Sequence, residues 1–184
     1  MQFNQEKATA ATAFLLKLRG GRMSYLKLIK LLYLADREAL HRWGFNITTD
    51  RYVSMNHGPV VSNIYDLILS DDERTKPFWS QYITPLLGEY ELALKGDEVP
   101  ENQLSRAEER LLTEIFGAYG TWSRWKLRDF THELREWRDP NGSSVPISIE
   151  EILQAQGSSD EEVAGITAEM KAAEVANSVL GSRL

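Results

Sequence analysis

Apolar residues recur at helical spacing through much of the chain, and the breaks between the runs are legible. The first run, from Glu6 to Lys17, sets Ala8, Ala11, Leu15 and Leu18 on one face before a Gly20-Gly21 stop and predicts a helix. Ser24 stands where it can cap the next segment, YLKLIKLLYLADREALHRWG. There Leu28, Leu31, Leu32, Ala35 and Ala39 share one face, Lys27, Lys30, Arg37 and His41 lie near another, and Tyr25, Ile29 and Tyr33 widen the apolar sector. A helix this apolar around its circumference belongs at the centre of a bundle.

Beyond Gly44, ITTDRYVSM is β-branched and aromatic and predicts a short strand. Its expected mate is EYELALKG, in which Tyr90, Leu92 and Leu94 alternate with other residues. Two short strands need helices to pack on. Between them, Gly58 supplies a flexible lead-in and Pro59 takes the first position of a helix that buries Val61, Ile64, Tyr65 and Ile68. Ser105 and Glu108 form a capping box ahead of a stripe of Leu111, Leu112, Ile115, Phe116 and Tyr119, closed by Gly120. Ser123 caps a helix carrying Leu127, Phe130 and Leu134, Asp139-Pro140-Asn141-Gly142 is a turn, and Ser148 caps a short helix. After Gly157 the tail has Val163, Ile166, Met170, Ala173 and Val179 at helical spacing.

These elements describe a mainly α, α+β protein: a compact bundle of six or seven helices around a central apolar helix, with a small antiparallel β element. Residues 1–156 are read as one domain and residues 157–184 as a helical extension that packs on it or projects from it.

Composition narrows the chemistry. The 184 residues include no Cys, which removes thiol catalysis, disulfide scaffolds and Cys-ligated zinc or iron–sulfur centres. The longest apolar runs are broken by Lys well short of the ~20 residues of a membrane span. The first residues lack a basic stretch ahead of an apolar one, so the expected location is the cytoplasm. Net charge is −6, but between Lys17 and Arg42 seven basic residues face only Asp36 and Glu38, while the tail is acidic. The basic stripe of Lys27, Lys30, Arg37 and His41 reads as a solvated face, as a landing surface for an acidic protein, or as a track for phosphates. Its overall negative charge argues against nucleic acid.

Catalytic motifs are missing: there is no G-x-G-x-x-G, no P-loop, no G-x-S-x-G, and the histidines are His41, His57 and His132 alone. His132 to Glu136 approaches H-E-x-x-H but carries Glu in place of the second His, and it is explained equally by helical charge pairing with Arg135 and Arg138. Neither enzyme activity nor a metal or cofactor is expected. His57 and His132 read as structural residues, and Asp71-Asp72 as a solvated loop. The five Trp residues serve either as interface anchors or as core.

Taken in order, a Y-L-K-L-I-K-L-L-Y-L-A helix, H-G-P-V leading into I-Y-D, Y-G-x-x-S-x-W-x-L, a T-H dipeptide and a following Trp resemble the Panacea domain of SocA-like antitoxins and phage-associated proteins, over about residues 20–155. The resemblance picks out as scaffold Lys30, Tyr33, Gly58, Pro59, Tyr65, Asp66, Trp125, Thr131, His132 and Trp137, with Thr131 and His132 fixing buried backbone beside Gly58. His57 stands where the family more often has an aromatic residue, and HELRE follows Thr131 in place of a Gly- or Pro-bearing turn. What the resemblance implies is an antitoxin that binds a toxic protein encoded by the adjacent gene; some relatives are similar to adaptors that deliver the toxin to a Clp-type protease. The residues expected at the partner surface are Lys27, Lys30, Arg37, His41, Trp43 and Trp125. The alternative is a nucleic-acid-binding regulator that uses the basic stripe.

Overall fold

The computed structural model describes residues 2–86 and 88–181, the last five of these by backbone alone, so the expected role of Val179 lies outside the described side chains. In chain order the elements are α1 (Gln5–Leu18), β1 (Arg22–Ser24), α2 (Tyr25–Trp43), β2 (Tyr52–Met55), β3 (Gly58–Val61), α3 (Ser62–Leu69), a 3₁₀ turn (Glu73–Thr75), α4 (Trp79–Tyr82), β4 (Ile83–Leu86), β5 (Glu91–Leu94), α5 (Arg106–Tyr119), α6 (Arg124–His132), β6 (Val145–Ile147), α7 (Ile149–Ala155) and α8 (Asp160–Gly181). The class is mixed α+β, with eight α-helices among the described residues. The one-turn α4 is too short to leave a periodicity in the sequence. No helix among the described residues is long and apolar enough to cross a membrane.

Helix α2 is the axis of the molecule. Leu28, Ile29, Leu31, Leu32, Tyr33, Ala35, Ala39 and Leu40 are all buried, and α1, α5, α6, α7 and β3 pack around them. Ala8, Ala10, Ala11 and Ala13 keep α1 thin enough to lie close to α2 and α5. The expected Ser24 cap fails, because its hydroxyl is buried without a hydrogen-bond partner. At the other end Gly44 closes the helix with φ 73°, a left-handed turn suited to glycine. The Ser105–Glu108 and Ser148–Glu151 capping boxes both form, and Ser123 accepts from the Lys126 amide. Helix α8 lies on α7, with Val163 buried.

The β structure corrects the expected pairing. ITTDRYVSM and EYELALKG do not meet. Strand β2 pairs with β3 and β6, and β5 pairs with β1 and β4, giving two separate three-stranded antiparallel sheets. Tyr90 lies outside β5 and is 67% exposed instead of pointing inward. Gly58-Pro59 also starts no helix. With φ +89° Gly58 follows the two-residue turn Asn56-His57 and opens β3, with Met55 opposite Gly58 and Ser54 opposite Pro59. Because β3 is an edge strand, it tolerates a residue without an N–H.

Helix α3 therefore begins at Ser62, and its cap comes from elsewhere in the chain. The Asp50 carboxylate accepts the amides of Asn63 (2.8 Å) and Ile64 (2.9 Å) and the Asn63 side-chain N–H (2.8 Å). Asp50→Ala is expected to cost about 1–3 kcal/mol, the usual loss when buried donors are left unpaired, read by urea denaturation. A loss below about 0.5 kcal/mol would mean that water replaces the carboxylate.

Candidate functional site

Of the residues singled out in the sequence, Lys30, Gly58, Pro59, Tyr65, Trp125, Thr131, His132 and Trp137 gather around the β2–β3 hairpin, in a buried knot behind it and a cleft in front of it. Lys30 stands on the middle of α2 with 0% of its surface exposed, and its Nζ donates to the Pro59 carbonyl at 2.6 Å. Burial pushes its ammonium down from the ordinary 10.5 to about 7. Thr131, His132 and the end of Lys30 press on Gly58 so closely that a Cβ there would lie 2.7 Å from Thr131 Oγ1 and 3.2 Å from Lys30 Nζ.

His132 stacks on Trp137 with ring centroids 4.2 Å apart, and its Nε2 is buried without a hydrogen-bond partner. Burial, with Lys30 and Arg128 close by, holds its pKa below the ordinary imidazole value. Thr131 Oγ1 donates within its own helix, to the Arg128 carbonyl at 2.9 Å. The expectation that Thr131 and His132 bond the neighbouring backbone is therefore corrected: that task falls to Lys30 and to Trp137, whose Nε1 donates to the Met55 carbonyl at 3.3 Å.

The basic stripe is not a solvated face. Lys27 is buried, with its Nζ donating to the Gly120 and Trp122 carbonyls. Lys30 is in the knot, and Arg37 is paired through its Nε with the buried Glu136 at 2.6 Å. A helix buried on nearly every side turns its cations inward along with its leucines. Tyr33 OH also donates to Glu136, at 3.0 Å. Because α6 ends at His132, Glu136 lies off the helix and pairs with Arg37, not with Arg135 or Arg138. No group of three His, Asp or Glu among the described residues is placed to hold a metal ion.

Asp36, on the next turn of α2, has 0% exposure and accepts the amides of Ile47 and Thr48, both at 2.9 Å, the Thr48 hydroxyl, and Tyr52 OH at 3.1 Å. Burial pushes its carboxyl up to about 7, against the pull of the Thr48 and Tyr52 bonds. Of the remaining expected residues, His41 is exposed, Asp66 makes only a loose 3.8 Å pair with Arg51 at the surface, and Trp43 is half-buried beside Phe45.

In front of the hairpin lies a cleft of about 490 Å³. The first turn of α2 (Tyr25, Ile29) forms one wall, the hairpin (Met55, His57, Val60) the floor, and the start of α6 (Arg124, Trp125) the opposite wall; Tyr65, Tyr90 and the Gly142-Ser143 turn complete it. Trp125 is 46% exposed and flanked by the guanidinium carbons of Arg124 and Arg128, each 5.0 Å from its ring. Tyr25, Tyr90 and Arg124 were not picked out from the sequence. Tyr25 reads there as part of an apolar face and Tyr90 as a strand residue, and Arg124 carries no local signal.

Compared with protein families, residues 28–138 match the model of the antitoxin SocA-like, Panacea domain. The chain belongs to this family. The match runs from Leu28, the fourth residue of α2, to the residue after Trp137, so it contains the whole knot and most of the cleft but not Tyr25. No curated protein and no solved structure matches. In this Panacea domain the motif glycine is explained by crowding, and Gly58→Val is expected to lower stability by more than about 1 kcal/mol, since it meets both a left-handed φ and a 2.7 Å contact. An unchanged melting temperature would contradict it.

The buried lysine predicts a pH dependence whose sign is fixed. Between about pH 7 and 10 the unfolded chain keeps the Lys30 proton while the folded chain releases it, so stability rises with pH over that window. Compared with wild type in urea titrations at pH 7 to 10, Lys30→Met is expected to lose a slope of up to about 1.4 kcal/mol per pH unit. Parallel curves would show that Lys30 stays charged when buried.

Proposed function

We propose that this Panacea-domain protein is an antitoxin that neutralises a cognate toxic protein, encoded by the adjacent gene, by direct binding and without turnover. Membership of the SocA-like antitoxin family over residues 28–138 carries the reading. It is supported by the character of the polar groups in the knot: Lys30, Asp36 and Glu136 are committed to backbone or side-chain partners inside the protein. Binding is the shared requirement of steric block and of delivery to a Clp-type protease, and the toxin's lifetime separates the two. The alternative, a regulator that tracks nucleic acid along the basic stripe, loses support because Lys27 and Lys30 are buried and Arg37 is paired.

Co-expression with the neighbouring gene tests the reading. The expected result is a neighbour that arrests growth alone, with growth restored and the two proteins co-purifying when this chain is present. A harmless neighbour, or a toxic one neither rescued nor bound, overturns it. An unchanged toxin half-life on rescue indicates block, and a shortened one indicates delivery to a protease.

A further inference from the structure

The geometry points to the cleft between the first turn of α2 and the start of α6 as the docking site for an acidic segment of the toxin that inserts an aromatic or long aliphatic side chain. This rests on the antitoxin reading and adds to it a surface and a partner chemistry.

Three observations carry it. The first is the chemistry of the lining. Tyr25, Tyr65, Tyr90 and Trp125 supply aromatic walls, and Arg124 supplies a cation, while no Asp or Glu lines the cleft in a chain whose net charge is −6. Against these ring faces the lining sets N–H and O–H groups, from the three tyrosines, the Trp125 indole and the Arg124 guanidinium. An occupant that matches donors and a cation around apolar walls is rich in carboxylates and carbonyls and carries one large apolar group.

The second observation is that aromatic surface is held open here where it would gain by being covered. Trp125 is 46% exposed although two guanidinium groups lie over its ring. Trp and Arg in such a half-closed pocket are the residues that most often anchor protein interfaces.

The third is Tyr90, 67% exposed at φ 54°, a left-handed conformation that costs a side-chain-bearing residue energy. Its carbonyl accepts the Tyr25 amide at 3.1 Å, at the junction of β1 and α2, and its ring lies 6.2 Å from that of Tyr25. The strained turn holds a bulky aromatic at the rim of the cleft in place of folding it onto the core.

The rim charge favours an acidic polypeptide over a single-stranded nucleic acid. A strand needs a run of free cations to follow its phosphates. Next to Arg124 the adjoining groove adds Arg19 and Arg22, but Arg22 is already held by Glu89 at 2.6 Å and by Glu91, and Glu91 itself lines the groove, so the cations do not make a continuous run.

The test uses the full chain and the neighbouring gene's product, with Trp125→Ala and Tyr90→Ala at exposed positions and Arg124→Glu at a half-buried one, each checked for an unchanged melting temperature. Affinity for the toxin is measured by titration calorimetry and rescue by growth. The expected result is at least about a 30-fold weaker complex for Trp125→Ala, the scale of an interface anchor, and loss of rescue for Arg124→Glu, with wild-type affinity falling as salt is raised. Variants that fold, bind and rescue as wild type does overturn the docking site and leave the antitoxin reading intact. Absence of a wild-type complex overturns both. Binding of a fluorescent oligothymidylate that Trp125→Ala abolishes, without any change in toxin affinity, overturns the site in favour of nucleic acid.

Discussion

Enclosing a helix on nearly every side obliges each polar side chain that it buries to find its partner inside the protein. Helix α2 meets that constraint with groups that then organise its surroundings. Asp36 collects two loop amides and two hydroxyls and so fixes the path of residues 47–52 into β2. Lys30 holds the hairpin by the Pro59 carbonyl, and Arg37 and Tyr33 converge on Glu136 to hold the chain just beyond α6. Removing one member of such a pair leaves a buried group stranded, which costs more than the bond itself contributes.

Buried ammonium groups without a carboxylate recur in this protein. Lys27 serves the carbonyls of Gly120 and Trp122 at the end of α5, Lys30 that of Pro59, and Lys76 those of Leu67 and Ser70 at the end of α3. Two of the three sit where a helix leaves carbonyls unpaired and where a positive charge is favoured by the helix dipole. Carbonyl oxygens only partly offset the lost hydration, and the downward pull on the Lys27 and Lys30 ammonium groups reflects that balance.

The sequence made the helices legible because their signals are local: spacing in α2 and α5, the reciprocal Ser105–Glu108 cap ahead of α5, and Ser148 ahead of α7. It hid strand pairing, since Tyr52 meets Ile147, a partner almost a hundred positions away, and nothing in either stretch names the other. Gly58-Pro59 misled for a related reason. A Gly-Pro pair suits a helix start and an edge strand equally, and the choice is made by Asp50, which caps α3 from across the loop. The alternation around Tyr90 looked like a strand running into the core because the pattern does not record that a left-handed backbone turns the ring outward. The motif residues themselves were visible, but their division into a buried knot and an open cleft required the fold.

The hairpin tip at Asn56-His57 belongs to both halves of that arrangement. Behind it, lysine, threonine and histidine leave Gly58 no room, and in front of it the same few residues are the floor of the cleft. An inserted or deleted residue in that turn would shift the strand register and deform the pocket floor in one stroke. Changes at the margins, in the turn bearing Tyr90 and the loop around Gly142, would instead reshape the walls of the cleft and leave the register of the hairpin in place.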